Sequence, residues 1–116
     1  MLRALSPSRL RPPFANYSHA VEIPAGARLL LVSGQLGIDP DEQIPGSAEA
    51  QADLCFGAIG AILADAGMDF GDLVRINAYV TDRAHLAAYM RSRDRHVAAP
   101  PPASTLMIVS GFAREA

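Results

Sequence analysis

From Leu73 to Thr81 the chain alternates without a break. Val74, Ile76, Ala78 and Val80 fall on one side of an extended strand, and Arg75, Asn77, Tyr79 and Thr81 fall on the other. No other feature restricts the fold as much. A clean period of two over this length is a strand, not a helix. One of its faces belongs to a core. The other is mixed polar and aromatic, too apolar for plain solvent and too polar for a second core. A subunit interface is the simplest use for such a face, and closed homo-oligomers are its common form.

The neighbouring segments supply the layers around this strand. Ser47 is a helix N-cap and Glu49 puts a negative charge in the first turn. Leu54, Cys55, Ala58, Ile59, Ile62, Leu63 and Ala66 then recur at helical spacing, and Gly67 is a stop, so the spacing predicts a helix over 48–66. Gly57 and Gly60 inside it suggest close approach to another backbone. Asp82 caps a second helix with Leu86, Tyr89, Met90, Arg93 and Val97 on one stripe, ended by Pro100, Pro101 and Pro102. Earlier, Tyr17 to Ile23 alternates, Pro24 to Ala27 is a turn, and the apolar run Arg28 to Ser33 reads as a central strand. These two strands are expected to form a hairpin. Ser104 to Val109 is the last strand. The order strand, strand, helix, strand, helix, strand predicts an α+β domain over 1–116, with two helices packed on one face of a mixed sheet.

Composition removes several functions. A chain of 116 residues and 12.3 kDa holds one domain. Half of it is hydrophobic and 19% is charged, a globular balance. Apolar runs are far short of a membrane span, and no apolar stretch follows the N-terminal arginines as a signal peptide would require. One cysteine cannot form an internal disulfide, so a cytoplasmic location is expected. A net charge of -2 argues against a nucleic-acid partner. All ten basic residues are arginine, which rules out a Schiff-base or phosphate-loop lysine.

No constellation in the residues compels a reaction. His85 and His96 sit 11 positions apart on the second helix, roughly 16 Å along its axis, and cannot share an ion. With no Cys/His cluster, no metal site is expected. Cys55 reads as a structural thiol on the apolar stripe. Ser33-Gly34-Gln35 is not a nucleophile elbow. Arg91, Arg93 and Arg95 read as a solvated helix face.

Five stretches in order nevertheless resemble the RidA/YjgF family of reactive intermediate deaminases. They are Asn16-Tyr17-Ser18-His19-Ala20-Val21, Ser33-Gly34-Gln35 with Asp39-Pro40, Ile62-Leu63-Ala64-Asp65-Ala66-Gly67, Val74 to Asp82, and Pro101-Pro102-Ala103-Ser104-Thr105. The resemblance covers about residues 12–112. It implies a chorismate-mutase-like α+β fold and a homotrimer with small-molecule sites in clefts between subunits. It also implies cofactor-free hydrolysis of reactive enamines or imines such as 2-aminoacrylate. Tyr17, the Ser33–Gly34 backbone, Ala103, Ser104 and Thr105 are the residues it places at the ligand.

Departures from the family pattern point away from efficient catalysis. Ala103 stands where the resemblance implies a carboxylate-clamping arginine, as in divergent subgroups with P-P-x-S-T. Met90 replaces a helix asparagine. The chain stops near the start of the family's final strand, whose glutamate has no counterpart, and that role does not pass to Glu115. Either the chain is cut short or the strand is supplied otherwise. The leading expectation is a trimer that binds a small planar or carbonyl-bearing metabolite and is a poor 2-aminoacrylate deaminase. The alternatives are an imine or enamine hydrolase using Arg75 or Arg93 as its anion anchor, and RNA cleavage, which the charge balance disfavours.

Overall fold

Ser47 opens the first helix in extended conformation, and its hydroxyl accepts the Ala50 amide at 3.1 Å in the computed structural model, which describes residues 1–114. Helix α1 spans Ala48–Asp65. Gly67 ends it at φ 72, in the left-handed region that favours glycine. The Gly67 and Met68 amides donate to the Ala64 and Leu63 carbonyls at 3.0 and 2.8 Å, which satisfies the last turn. No helix is long and apolar enough to cross a membrane among the described residues.

The alternating segment is a strand over Arg75–Val80, here β3 after two short N-terminal strands, β1 (Arg3–Leu5) and β2 (Ala20–Glu22). Asp82 caps a single 3-10 turn, accepting the Ala84 amide at 2.8 Å, and α2 follows over Leu86–His96. Strand β4 covers Ala103–Ile108 and pairs with β3 in parallel, with Arg75 beside Ala103, Asn77 beside Thr105 and Tyr79 beside Met107. The helix between them is the crossover that a parallel pair requires.

Both helices lie on one side of this pair. Phe56 of α1, Ala78 of β3 and Tyr89 of α2 form the buried centre, with Ile76, Val80, Met90, Val97 and Leu106 packed around it. The second-helix stripe is as expected: Tyr89 and Arg93 are buried, and Leu86, Met90 and Val97 are half-buried. On α1 the most deeply buried residue is Phe56, outside the expected stripe, because α1 rotates this ring between Tyr89 and His96.

Three expectations change. Arg28–Ser33 is not a strand. It runs beside α1, with Arg28 Nη2 on the Ala66 carbonyl at 3.2 Å and, just beyond the run, the Gln35 carbonyl accepting from Cys55 Sγ at 3.3 Å. The hairpin does not form either, because β2 pairs antiparallel with β1, where Arg3 faces Glu22 and bonds it at 3.2 Å. The turn at Pro24–Ala27 exists, with Gly26 at φ 79, but it delivers the chain to α1. Finally, Gly57 borders open space and Gly60 faces the Phe70 ring, so neither meets another backbone. The close approach is at Gly37, where an added Cβ would fall 2.4 Å from Gln51 Cβ.

Candidate functional site

Because β3 and β4 bury one face under the helices, their other face is left outward. In register along it stand Arg75 and Ala103, then Asn77 and Thr105, then Tyr79 and Met107. Tyr79 and Met107 are each 52% exposed, so the outer row is open to solvent or to a partner. Ser104 lies beside Ile76, on the side that faces the helices, which removes its hydroxyl from the outer face.

Among the described residues of β3 and β4, Arg75 carries the only charge, and its guanidinium is tethered. Nε donates to Asn77 Oδ1 at 2.9 Å, and Nη2 donates to the Thr105 hydroxyl. Both partners lie two positions further along their strands, so the side chain folds down over the second row. Arg93, the other candidate anchor, turns inward. It is 3% exposed, sits 5.8 Å from the Tyr89 ring centroid and bonds Asp94 at 3.3 Å.

Tyr17 comes to the free edge of β4. Ser18 forms a parallel bridge with Ala103, its amide donating to the Pro102 carbonyl at 2.9 Å and its hydroxyl to the Pro101 carbonyl at 2.5 Å. This gives a row Ser18, Ala103, Arg75 across three backbones. Tyr17 stacks edge-on with Phe14 and His19 at centroid distances of 5.5 and 5.9 Å. His19 Nε2 is 2.8 Å from the Arg11 carbonyl, which can only accept, so Nε2 carries the hydrogen. Ala103 and Thr105 thus share the outer face, while Tyr17, next to the bridging Ser18, packs its ring on Phe14 and His19 at the edge of β4. Ser33 and Gly34 stay apart in the unpaired run beside α1, exposed. Glu115 lies outside the described residues.

Arg91 and Arg95 on α2 are exposed, as a solvated face requires, but both are paired across to α1, and only Arg93 departs from that face by turning inward. Glu49 of α1 takes Arg91 Nε at 2.8 Å and Arg95 Nη1 at 2.6 Å, while Asp53 takes Arg95 at 2.6 Å and the Ser92 hydroxyl at 2.5 Å. The two guanidinium bonds hold the Glu49 carboxyl below its ordinary range. For Asp53 the Ser92 bond is the first cause of the lowering and Arg95 the next. An open groove of about 540 Å³ beside them is lined by Ser47, Glu49, Asp53, His85 and Arg91, but its carboxylates are already engaged. The matched spacing was the available signal, with acids at 49 and 53 and arginines at 91 and 95, one helical turn apart on each helix. Cys55 is half-buried and burial pushes its thiol up, as a structural cysteine requires.

Residues 8–116 match the family model described as endoribonuclease L-PSP. Protein DfrA of Myxococcus xanthus is 34% identical over 100 residues, covering 84% of this chain and 76% of that protein. The 2-iminobutanoate/2-iminopropanoate deaminase of mouse is 29% identical over 82 residues, 69% of this chain. The match spans only 58% of the mouse enzyme's length. Among solved structures, the Rid-family protein YyfB of Yersinia pestis superposes with a TM-score of 0.79 at 27% identity, covering 97% of this chain and 89% of that one. RidA of an Antarctic Psychrobacter gives 0.72 at 26%, with 97% and 90% covered. With two helices over parallel β3–β4 and these likenesses along nearly its whole length, the chain belongs to the RidA-like endoribonuclease L-PSP family.

Proposed function

We propose that this protein binds a small carbonyl- or carboxylate-bearing metabolite on the outer face of β3–β4, in clefts that neighbouring copies of a homotrimer close. It does so in the cytoplasm and without metal or cofactor, and it hydrolyses 2-aminoacrylate-type enamines poorly. The composition of the face carries this reading. It offers one tethered guanidinium, a threonine hydroxyl, an asparagine amide and an aromatic wall. Neither β3 nor β4 contains an Asp, Glu or His to move a proton. Imine hydrolysis needs water activated by such a group, an effect commonly worth about 10²–10⁴-fold. Replacing a bidentate clamp at position 103 by a methyl costs on the order of 2–4 kcal/mol in carboxylate binding.

The surface supports assembly. The chain exposes 7738 Å², whereas a compact monomer of 12.3 kDa exposes roughly 6,100 Å². The excess is of the size that stable interfaces remove from water.

Ammonia release from imines generated by an amino-acid oxidase tests the proposal. The expected rate is close to the spontaneous one, while a 2-oxo acid product analogue still binds. Rapid, protein-dependent release would overturn it in favour of the second reading, an imine deaminase. That reading is favoured by the mouse relative's name and by Arg75, which stands in register beside Ala103. An RNA-cleaving role, which the family's name carries, has no basic stripe to support it on this face.

A further inference from the structure

We infer that Arg75 is the anion anchor of the β3–β4 face, receiving the carboxylate of a short 2-oxo or 2-imino acid from the β3 side. The inference rests on the binding reading above and names the charged end of its ligand.

A guanidinium has five N–H donors in a fixed plane. Arg75 spends one on Asn77 and one on Thr105. Three remain, both on Nη1 and one on Nη2. Those two nitrogens form the end-on fork that matches the two oxygens of a carboxylate. The two tethers hold the plane in place, so most of the side chain's freedom is already lost before a ligand arrives. No carboxylate lies within ion-pair distance of Arg75 among the described residues, so the fork carries no internal counter-ion. Ala103, beside it in register, contributes only a methyl and leaves the approach open.

The same face limits the rest of the ligand. The tethered guanidinium lies over the Asn77–Thr105 row, and the Tyr79–Met107 row follows two residues on, roughly 6.6 Å away in a parallel pair. An acid held by the fork therefore lays its tail on an aromatic ring and a thioether. A tail of a few carbons spans that step, and a charged tail meets no partner. The class is short, monoanionic and apolar at the far end. Thr105 is a positioning residue because it acts through Arg75.

The test is an NMR titration of the full chain with 2-oxobutanoate and, separately, its neutral amide. The wild type is expected to prefer the acid by at least tenfold. Arg75→Ala should lose that preference while still binding the amide. Arg75→Lys should keep part of it, since an ammonium supplies charge without the fork. Thr105→Val should weaken acid binding, and Thr105→Ser should restore it. Unchanged melting temperatures show that the exposed substitutions leave the fold intact. If Arg75→Ala binds the acid as the wild type does, the anchor is wrong but the binding face stands. If the wild type binds neither compound, both the anchor and the binding reading fall.

Discussion

At the scale of single residues, the glycines separate cleanly by what a methyl would meet. Gly57 lies inside α1 with open space around it, so Gly57→Ala removes only backbone freedom. It should stabilise the protein by about 0.5–1 kcal/mol in chemical unfolding. Gly37 is buried against Gln51, and a Cβ there would lie 2.7 Å from Gln51 Cα. Gly37→Ala should cost about 1–3 kcal/mol through overpacking. The opposite signs are the check, since the unfolded chain's lost backbone freedom alone would favour alanine at both. Tyr89 offers a third case. Its hydroxyl is buried without a partner among the described residues, and desolvation is the first cause raising its pKa. Leaving such a group unpaired costs about 1–3 kcal/mol. Tyr89→Phe should therefore leave thermal stability unchanged or raise it, and a clear loss would reveal an acceptor reached by that oxygen. Phe56 shows the limit of reading residues singly. Periodicity placed the apolar stripe beside it, but the Tyr89 and His96 rings on a distant helix draw it inward.

At the scale of elements, α1, β3, α2 and β4 were all legible, because caps, periodicity and prolines agree with the packing that each helix and strand finds. Arg28–Ser33 was not. Its leucines have the composition of a central strand, yet strand identity depends on a partner backbone, which local sequence does not specify. The exposures of Leu29, Leu30, Leu31 and Val32, at 69, 38, 93 and 38%, still alternate, so the period of two was readable and the pairing was not. The candidate site divides the same way. Ala103 and Thr105 share the outer face and Tyr17 comes to its edge, whereas Ser33 and Gly34 depend on that unpaired run. The α1–α2 contact carries its own prediction. Glu49 and Asp53 have carboxyls lowered by their α2 partners. A group whose folded pKa is depressed stabilises the fold above its unfolded pKa, and that contribution is lost as pH falls through the folded value. The melting temperature should thus decline on acidification below the ordinary carboxylate range. Glu49→Gln with Asp53→Asn should lower it at pH 7 and flatten the acid limb. Salt should shrink the difference, because both carboxylates are near water.

At the scale of the whole molecule, the small buried centre and the large open face are two aspects of one design. Two helices cover one side of β3–β4, and nothing among the described residues of the same chain covers Tyr79 and Met107 on the other. A monomer would leave these two, paired in register, in water. In the proposed trimer they face another copy, and the fork of Arg75 opens into the cleft formed there. Tyr79 and Met107 should then carry assembly and also floor the cleft, whereas Arg75 serves the ligand alone, so Arg75→Ala separates the two roles. Tyr79→Asp with Met107→Asp puts two charges where the copies meet beside the cleft, and unpaired carboxylates facing another copy are strongly disfavoured. Native mass spectrometry should show three chains of 12.3 kDa for the wild type and one for the double variant. Arg75→Ala should remain trimeric, since an exposed cation at a rim adds little to assembly. A wild-type monomer, or a double variant that still assembles, would move the interface off this face and leave the Arg75 fork to bind its acid on an open sheet.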